Sequence, residues 1–348
     1  SPRPWVFNAL FYFIHRTFLS PEEDCEHAVY AAIKDGYRLI DTAIAYANQK
    51  AVGRAIKRCI EEGIVKREDI FITTKLWITE WKPEDVERSV KISLEELQVD
   101  YIDLFLIHQS GFINLPKEMD EKRRQGYFFD RPLFVQEENC RLGYSIENVK
   151  QTWGKMEELC RAGYLRSIGI SNFSGKRIRD VLSFCTIKPA VNQIELHPYL
   201  QQWETKKICD ENGMYLMAYF PLGGASNARS VSVPGPMEDP VIKSIADKYH
   251  KTPAQVMIRW AVQRGTICIP KSIHENRILE TCSIFDFELS EEDMSAIKAL
   301  DKGYRYARPT FLFPEGTDWK DVWDHEYVSD LTVCFEPTNP NNFDTRCV

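Results

Sequence analysis

The chain has 348 residues, 44% hydrophobic and 27% charged, with a formal net charge of -7. That is ample apolar material for one large α/β domain or two ordinary ones. The acidic balance argues against nucleic acid as a partner, because phosphate binding needs a basic stripe.

In chain order, the first apolar segment, residues 5–14, is too short to span a bilayer and reads as the approach to a buried strand near 10–18. Further strands are predicted at 38–43, 69–76, 102–108, 166–171, 191–196, 215–220 and 267–270. Amphipathic helices alternate with them at 22–35, 48–62, 84–97, 147–162, 174–185, 202–212 and 253–264. Pro21-Glu22-Glu23-Asp24 and Lys82-Pro83-Glu84-Asp85 place proline and acids where first helical turns favour them. Gly36, Gly63, Gly163 and Gly213 each follow a helix and precede a strand, as C-terminal caps do. The strands are continuous Ile/Leu/Val/Phe runs, so both faces are buried. Eight such strands in βα alternation predict a (β/α)8 TIM-type barrel. The competing doubly wound sheet would carry G-x-G-x-x-G after its first strand, and that motif is absent.

Two long loops interrupt the rhythm, 109–145 after the fourth strand and 223–238 after the seventh, and both leave strand C-termini as lids do. Beyond Arg308 the periodicity is lost. The expected organisation is therefore one barrel domain over 1–307, with 1–19 an atypical start and 109–145 an inserted loop, followed by an extended, partly disordered tail at 308–348. The ten cysteines form no C-x-x-C pair, so a structural zinc or a disulfide framework is not expected, and a reducing, cytoplasmic setting fits.

Polar residues stand at or just beyond the ends of three successive strands: Asp41 with Tyr46 nearby, Lys75, and His108. Singly, each has a plain structural explanation: a turn cap, a surface lysine, a satisfied core histidine. Together at one barrel rim they describe a shared site, since a buried aspartate and lysine must neutralise each other. An ammonium beside a phenol favours the phenolate and so eases proton release from Tyr46. His108 could orient a substrate oxygen. This is the acid half of a carbonyl reduction, whose hydride must come from a cofactor.

With these residues in place, the chain resembles the aldo-keto reductases, NADPH-dependent (β/α)8 enzymes. The resemblance is carried by Gly36-Tyr37-Arg38-Leu39-Ile40-Asp41-Thr42-Ala43-Ile44-Ala45-Tyr46, Thr74-Lys75-Leu76-Trp77 and Leu106-Ile107-His108. It implies a tetrad of Asp41, Tyr46, Lys75 and His108, with Tyr46 the general acid. Gly169-Ile170-Ser171-Asn172-Phe173 and Asn192-Gln193-Ile194-Glu195 resemble the segments whose Ser171, Asn172 and Gln193 hold a nicotinamide carboxamide. Tyr219 resembles the tyrosine that stacks on the nicotinamide ring. Lys271, Ser272, Arg277 and Glu280 resemble the adenosine end, where two cations suit the 2′-phosphate of NADPH. Trp77, Gln109 and Phe18 would line the substrate pocket. The first strand departs from the pattern: Ile14-His15-Arg16-Thr17-Phe18 stands where the family has Gly-x-Gly-Thr-Trp, and only Thr17 is kept. Gln109 replaces a common tryptophan, Phe220 a frequent serine and Thr281 an asparagine. The expectation is a monomeric reductase of small aldehydes or ketones, without metal or membrane. The alternative is a catalytically impaired barrel that binds NADPH or a protein partner.

Overall fold

A computed structural model describes residues 14–17, 22–124, 140–223, 235–272, 274–307 and 313–326. Eight parallel strands form one sheet: β1 (Ile14–Arg16), β2 (Leu39–Asp41), β3 (Phe71–Leu76), β4 (Leu104–Ile107), β7 (Ile168–Ser171), β8 (Val191–Glu195), β9 (Tyr215–Tyr219) and β10 (Ile267–Cys268). Each pairs with its predecessor in that order, the winding of a (β/α)8 barrel. Between β4 and β7 lies a separate antiparallel pair, β5 (Phe112–Ile113) and β6 (Arg141–Gly143).

The two faces of each strand have different duties. Leu39, Leu104, Leu106, Val191, Met217 and Ile267 fill the barrel interior. Ile72 on one side of the molecule, and Phe105, Ile107, Ile168, Ile170 and Ile194 on the other, pack under the surrounding helices. This alternation aims the site. The hydroxyl of Thr74 on β3 reaches outward to Gln49 Oε1 at 2.5 Å, so the next residue, Lys75, points into the barrel. At Gly53, on the helix Gln49–Glu61, a Cβ would stand 2.4 Å from the Glu96 carbonyl oxygen, and the absence of that carbon lets this helix lie directly on Pro83–Leu97.

The helix starts are capped as the sequence suggests. Ser145 accepts from the Asn148 N–H, Ser174 from Arg177, and Thr252 with Gln255 forms a capping box. Gly36 and Gly163 take φ of +101° and +90° at the turns into the next strands, a region open to glycine without strain. Helices absent from the sequence expectation also occur, among them Pro240–Tyr249, Glu275–Cys282 and Glu291–Lys298.

Within the 109–145 insertion the described residues form β5, the helix Lys117–Arg124 and β6; residues 125–139 lie outside the described residues, as do 224–234 of the second loop. The described part of the tail, 313–326, packs against the barrel's C-terminal rim and buries Phe313, Val322 and Trp323. Among the described residues no helix is long and apolar enough to cross a membrane.

Candidate active site

Lys75 and Asp41 are both fully buried, with Lys75 Nζ 2.7 Å from Asp41 Oδ1. The same ammonium donates to the Thr42 carbonyl at 2.8 Å and to the Tyr46 hydroxyl at 3.3 Å. Three acceptors thus meet its three N–H donors. Tyr46 ends a single 3-10 turn, Ile44–Tyr46, directly after β2, and Ala47 closes that turn in the left-handed region at φ 54°. This short turn folds the phenol back over the lysine.

His108 continues the β3–β4 ladder through its N–H to the Leu76 carbonyl, 3.1 Å. Its ring stands edge-on to Tyr46, centroids 5.6 Å apart, and edge-on to Trp77 at 5.1 Å. Asp41, Tyr46, Lys75 and His108 are therefore brought together, with Trp77 as an apolar wall and Gln109 buried beside them. Phe18 lies outside the described residues.

A second group of amides and hydroxyls adjoins the first. Asn172 Nδ2 donates to the His108 carbonyl at 2.9 Å and to Ser171 Oγ at 3.2 Å, and Tyr219 OH donates to Asn172 Oδ1 at 2.7 Å. Asn172 holds φ +62°, a conformation asparagine tolerates well. Gln193 Nε2 donates to Asp41 Oδ2 at 2.7 Å and touches Met217 Sδ at 3.0 Å. One carboxylate thus joins the two groups: Asp41 faces Lys75 with one oxygen and Gln193 with the other. Amides and a hydroxyl beside a flat tyrosine ring suit a planar carboxamide.

Lys271, Ser272, Arg277 and Glu280 follow β10, whose continuation Ile269 bonds back to Ala218 beside Tyr219. Lys271 and Arg277 are exposed. Ser272 Oγ accepts from the His274 N–H at 3.0 Å, while Glu280 accepts from Thr252 Oγ1 at 2.5 Å and so also buttresses the helix Pro253–Gln263.

Several contributors escaped the sequence reading. Thr17 is buried, donates its N–H to the Asp41 carbonyl at 3.0 Å and lies 3.0 Å from Thr42 Oγ1, so the altered first strand still braces the site. Asn48 locks the same corner by donating to the Thr17 carbonyl at 2.8 Å. Both are polar residues beside Asp41 in the fold, a signal only register could reveal. Arg177 lies on the helix Gly175–Phe184, 4% exposed; burial pulls its guanidinium below the usual range, opposed by Asp324.

The family model described as "Aldo/keto reductase family" matches residues 14–302. Among curated relatives, "Aldo-keto reductase family 1 member A1" of Gallus gallus is 39% identical over 297 residues, covering 84% of this chain and 86% of that protein. The "NAD(P)H-dependent D-xylose reductase" of Scheffersomyces stipitis is 41% identical over 293 residues, covering 82% and 89%. Among solved structures, the aldose reductase from Schistosoma japonicum superposes with a TM-score of 0.75 at 33% identity, covering 86% of this chain and 91% of that one. The Bombyx mori aldo-keto reductase in complex with NADP gives 0.72 at 33% identity, covering 84% and 89%. The motifs at the rim, the winding of the sheet and these likenesses agree: the chain belongs to the aldo/keto reductase family.

Proposed function

We propose that this protein is an NADPH-dependent oxidoreductase that reduces the carbonyl of small aldehydes or ketones to the alcohol. The observation that carries the reading is the buried chain Gln193–Asp41–Lys75–Tyr46, which links amides suited to a nicotinamide to a phenol suited to proton donation. When bound, NADPH supplies the hydride for the carbonyl carbon. Tyr46 donates the proton to the carbonyl oxygen, and Lys75 stabilises the charge left on the phenol oxygen. Asp41 keeps the ammonium charged in its dry setting. His108, across the same pocket, orients the carbonyl oxygen toward Tyr46.

The residues present fit such a cofactor. Ser171, Asn172 and Gln193 would hold the carboxamide, with Tyr219 against the ring. Its hydroxyl bond to Asn172 already fixes that ring's orientation. Lys271 and Arg277 would meet the 2′-phosphate, with Ser272 and Glu280 beside them. Trp77 and Gln109 would line the pocket for the carbonyl compound. The likeness to a D-xylose reductase supports a sugar-like carbonyl compound as one substrate class.

The test is direct: titrate the purified protein with NADPH while following protein fluorescence, then follow NADPH oxidation at 340 nm with benzaldehyde or a short aldose. Saturable quenching with aldehyde-dependent oxidation is expected. Quenching without oxidation by any carbonyl compound would favour the alternative, a cofactor-binding barrel without turnover. Neither signal would refute both.

A further inference from the structure

A buried cation, Arg177, ties the tail segment 313–326 to the barrel. Arg177 Nη1 donates to Ser110 Oγ at 2.6 Å, Nη2 donates to the Asp321 carbonyl at 3.1 Å, and Nε lies 3.1 Å from Asp324 Oδ2. Its guanidinium also stands 4.6 Å from the Tyr144 ring centroid and 5.6 Å from that of Phe313. Around it, Ser174 bonds to Asp324, and the Glu326 carboxylate accepts from the N–H groups of Gly175 at 2.7 Å and Lys176 at 3.2 Å. A Cβ on Gly175 would lie 2.7 Å from Ile208 Cδ1 and 3.1 Å from Glu326 Oε1, so glycine leaves room at this crowded seat.

The segment also makes a set of apolar contacts. Phe313, Val322 and Trp323 form one cluster with Ile44, Trp77 and Ile113. Phe313 lies over Gly111, where a Cβ would come within 3.0 Å of the ring, and Arg305 covers Trp323 at 3.7 Å. Trp77 in turn meets the His108 ring, and Ile44 begins the turn that ends in Tyr46. A continuous path of contacts therefore runs from Arg177 through 313–326 to Trp77 and His108.

We propose that Arg177 is a positioning residue, which touches neither substrate nor cofactor but seats 313–326 behind Trp77 and so fixes the wall of the carbonyl pocket. This rests on the reductase reading of the site. Breaking a buried, hydrogen-bonded charge from one side leaves its partners unpaired, so the segment should loosen well before the barrel does. Substrate binding then weakens, while the amides facing the cofactor keep their own bonds to β4 and β2.

The test compares Arg177→Met, Arg177→Lys and the double variant Asp324→Asn/Glu326→Gln with the wild type, by hydrogen exchange of peptides within 313–326 and by steady-state kinetics with benzaldehyde. For Arg177→Met, exchange should quicken at least about tenfold, and KM for benzaldehyde should rise about tenfold with kcat within about threefold and NADPH affinity within about twofold. Arg177→Lys should recover part of both effects. The tail-side double variant should reproduce them without altering the barrel, which keeps the question open to decision if Arg177→Met fails to fold. Unchanged exchange in the variants would overturn the anchoring, and faster exchange with KM unmoved would overturn the pocket role. A purely structural arginine would lower the active fraction and kcat while leaving KM in place. Were the wild type itself inactive on every aldehyde, the reductase reading and the pocket role would fall together, and the exchange data would still decide the anchoring.

Discussion

Lys75 has no access to water, and each of its donors is met inside the protein. An isolated ammonium there would be costly, and removing Asp41 alone would leave it so, at about 3–5 kcal/mol. That physics made the residues visible in sequence: an aspartate, a lysine and a histidine ending apolar runs must share one neutralised site. What sequence could not show is the second oxygen of Asp41, bonded to Gln193 from a strand 152 residues further on. Nor could it show that Thr17 would brace a corner where its neighbours depart from the family pattern. Lys271 is exposed, and the proposed reading makes its contribution at the adenosine end electrostatic. Lys271→Ala should weaken NADPH at least about tenfold and NADH less than about twofold, measured by fluorescence titration of each. Equal loss for both cofactors would contradict the 2′-phosphate assignment.

The elements were legible where they were long or sharply capped. The helices Pro83–Leu97 and Ile146–Arg161 carry both periodicity and N-terminal signals. Glu275–Cys282 and Glu291–Lys298 are eight residues each, barely two turns, too short for a clear 3.6 period, although Ser290 and Asp293 do form a capping box. The segment 313–326 has a single short helix, Trp319–Val322, and no repeating pattern; tertiary contacts alone order it, so it reads as a tail in sequence. A different tertiary contact governs the approach to β8. Glu157, on the helix Ile146–Arg161, accepts from the N–H groups of Thr186 at 2.6 Å and Ile187 at 2.8 Å and from Trp153 Nε1 at 3.1 Å. Burial raises its carboxyl, but the Ile187 and Thr186 hydrogen bonds and Arg161 outweigh it and hold the group below the usual range. The native state therefore favours the carboxylate, so Glu157 stabilises the fold above the ordinary glutamate pKa of about 4.3 and loses that contribution as pH falls through its lowered folded value. Urea denaturation at pH 7 and in steps down to pH 3 should show Glu157→Gln less stable than wild type at pH 7, by about 1–3 kcal/mol, with the gap closing toward pH 3. A gap that stays constant with pH would contradict this.

Across the whole molecule, a single winding of the sheet brings the candidate residues together. The C-terminal ends of β2, β3, β4, β7, β8 and β9 supply Asp41, Lys75, His108, Ser171, Gln193 and Tyr219 to one rim. Alternating strand faces point these side chains inward, while the described part of the insertion and 313–326 pack together beside Trp77. The winding could be read from the eight apolar runs, and the roles proposed for the rim residues rest on family motifs. The seating of 313–326 could not be read, because it depends on Arg177 and on glycines that make room for Phe313. On the proposed reading Tyr46, beside Lys75, donates the proton while the cofactor residues act independently of it. The most direct measurement is kcat for aldehyde reduction alongside NADPH affinity in Tyr46→Phe. In Tyr46→Phe kcat should fall by about a hundredfold or more with NADPH affinity within about twofold of wild type; turnover within about tenfold of wild type would rule out Tyr46 as the proton donor.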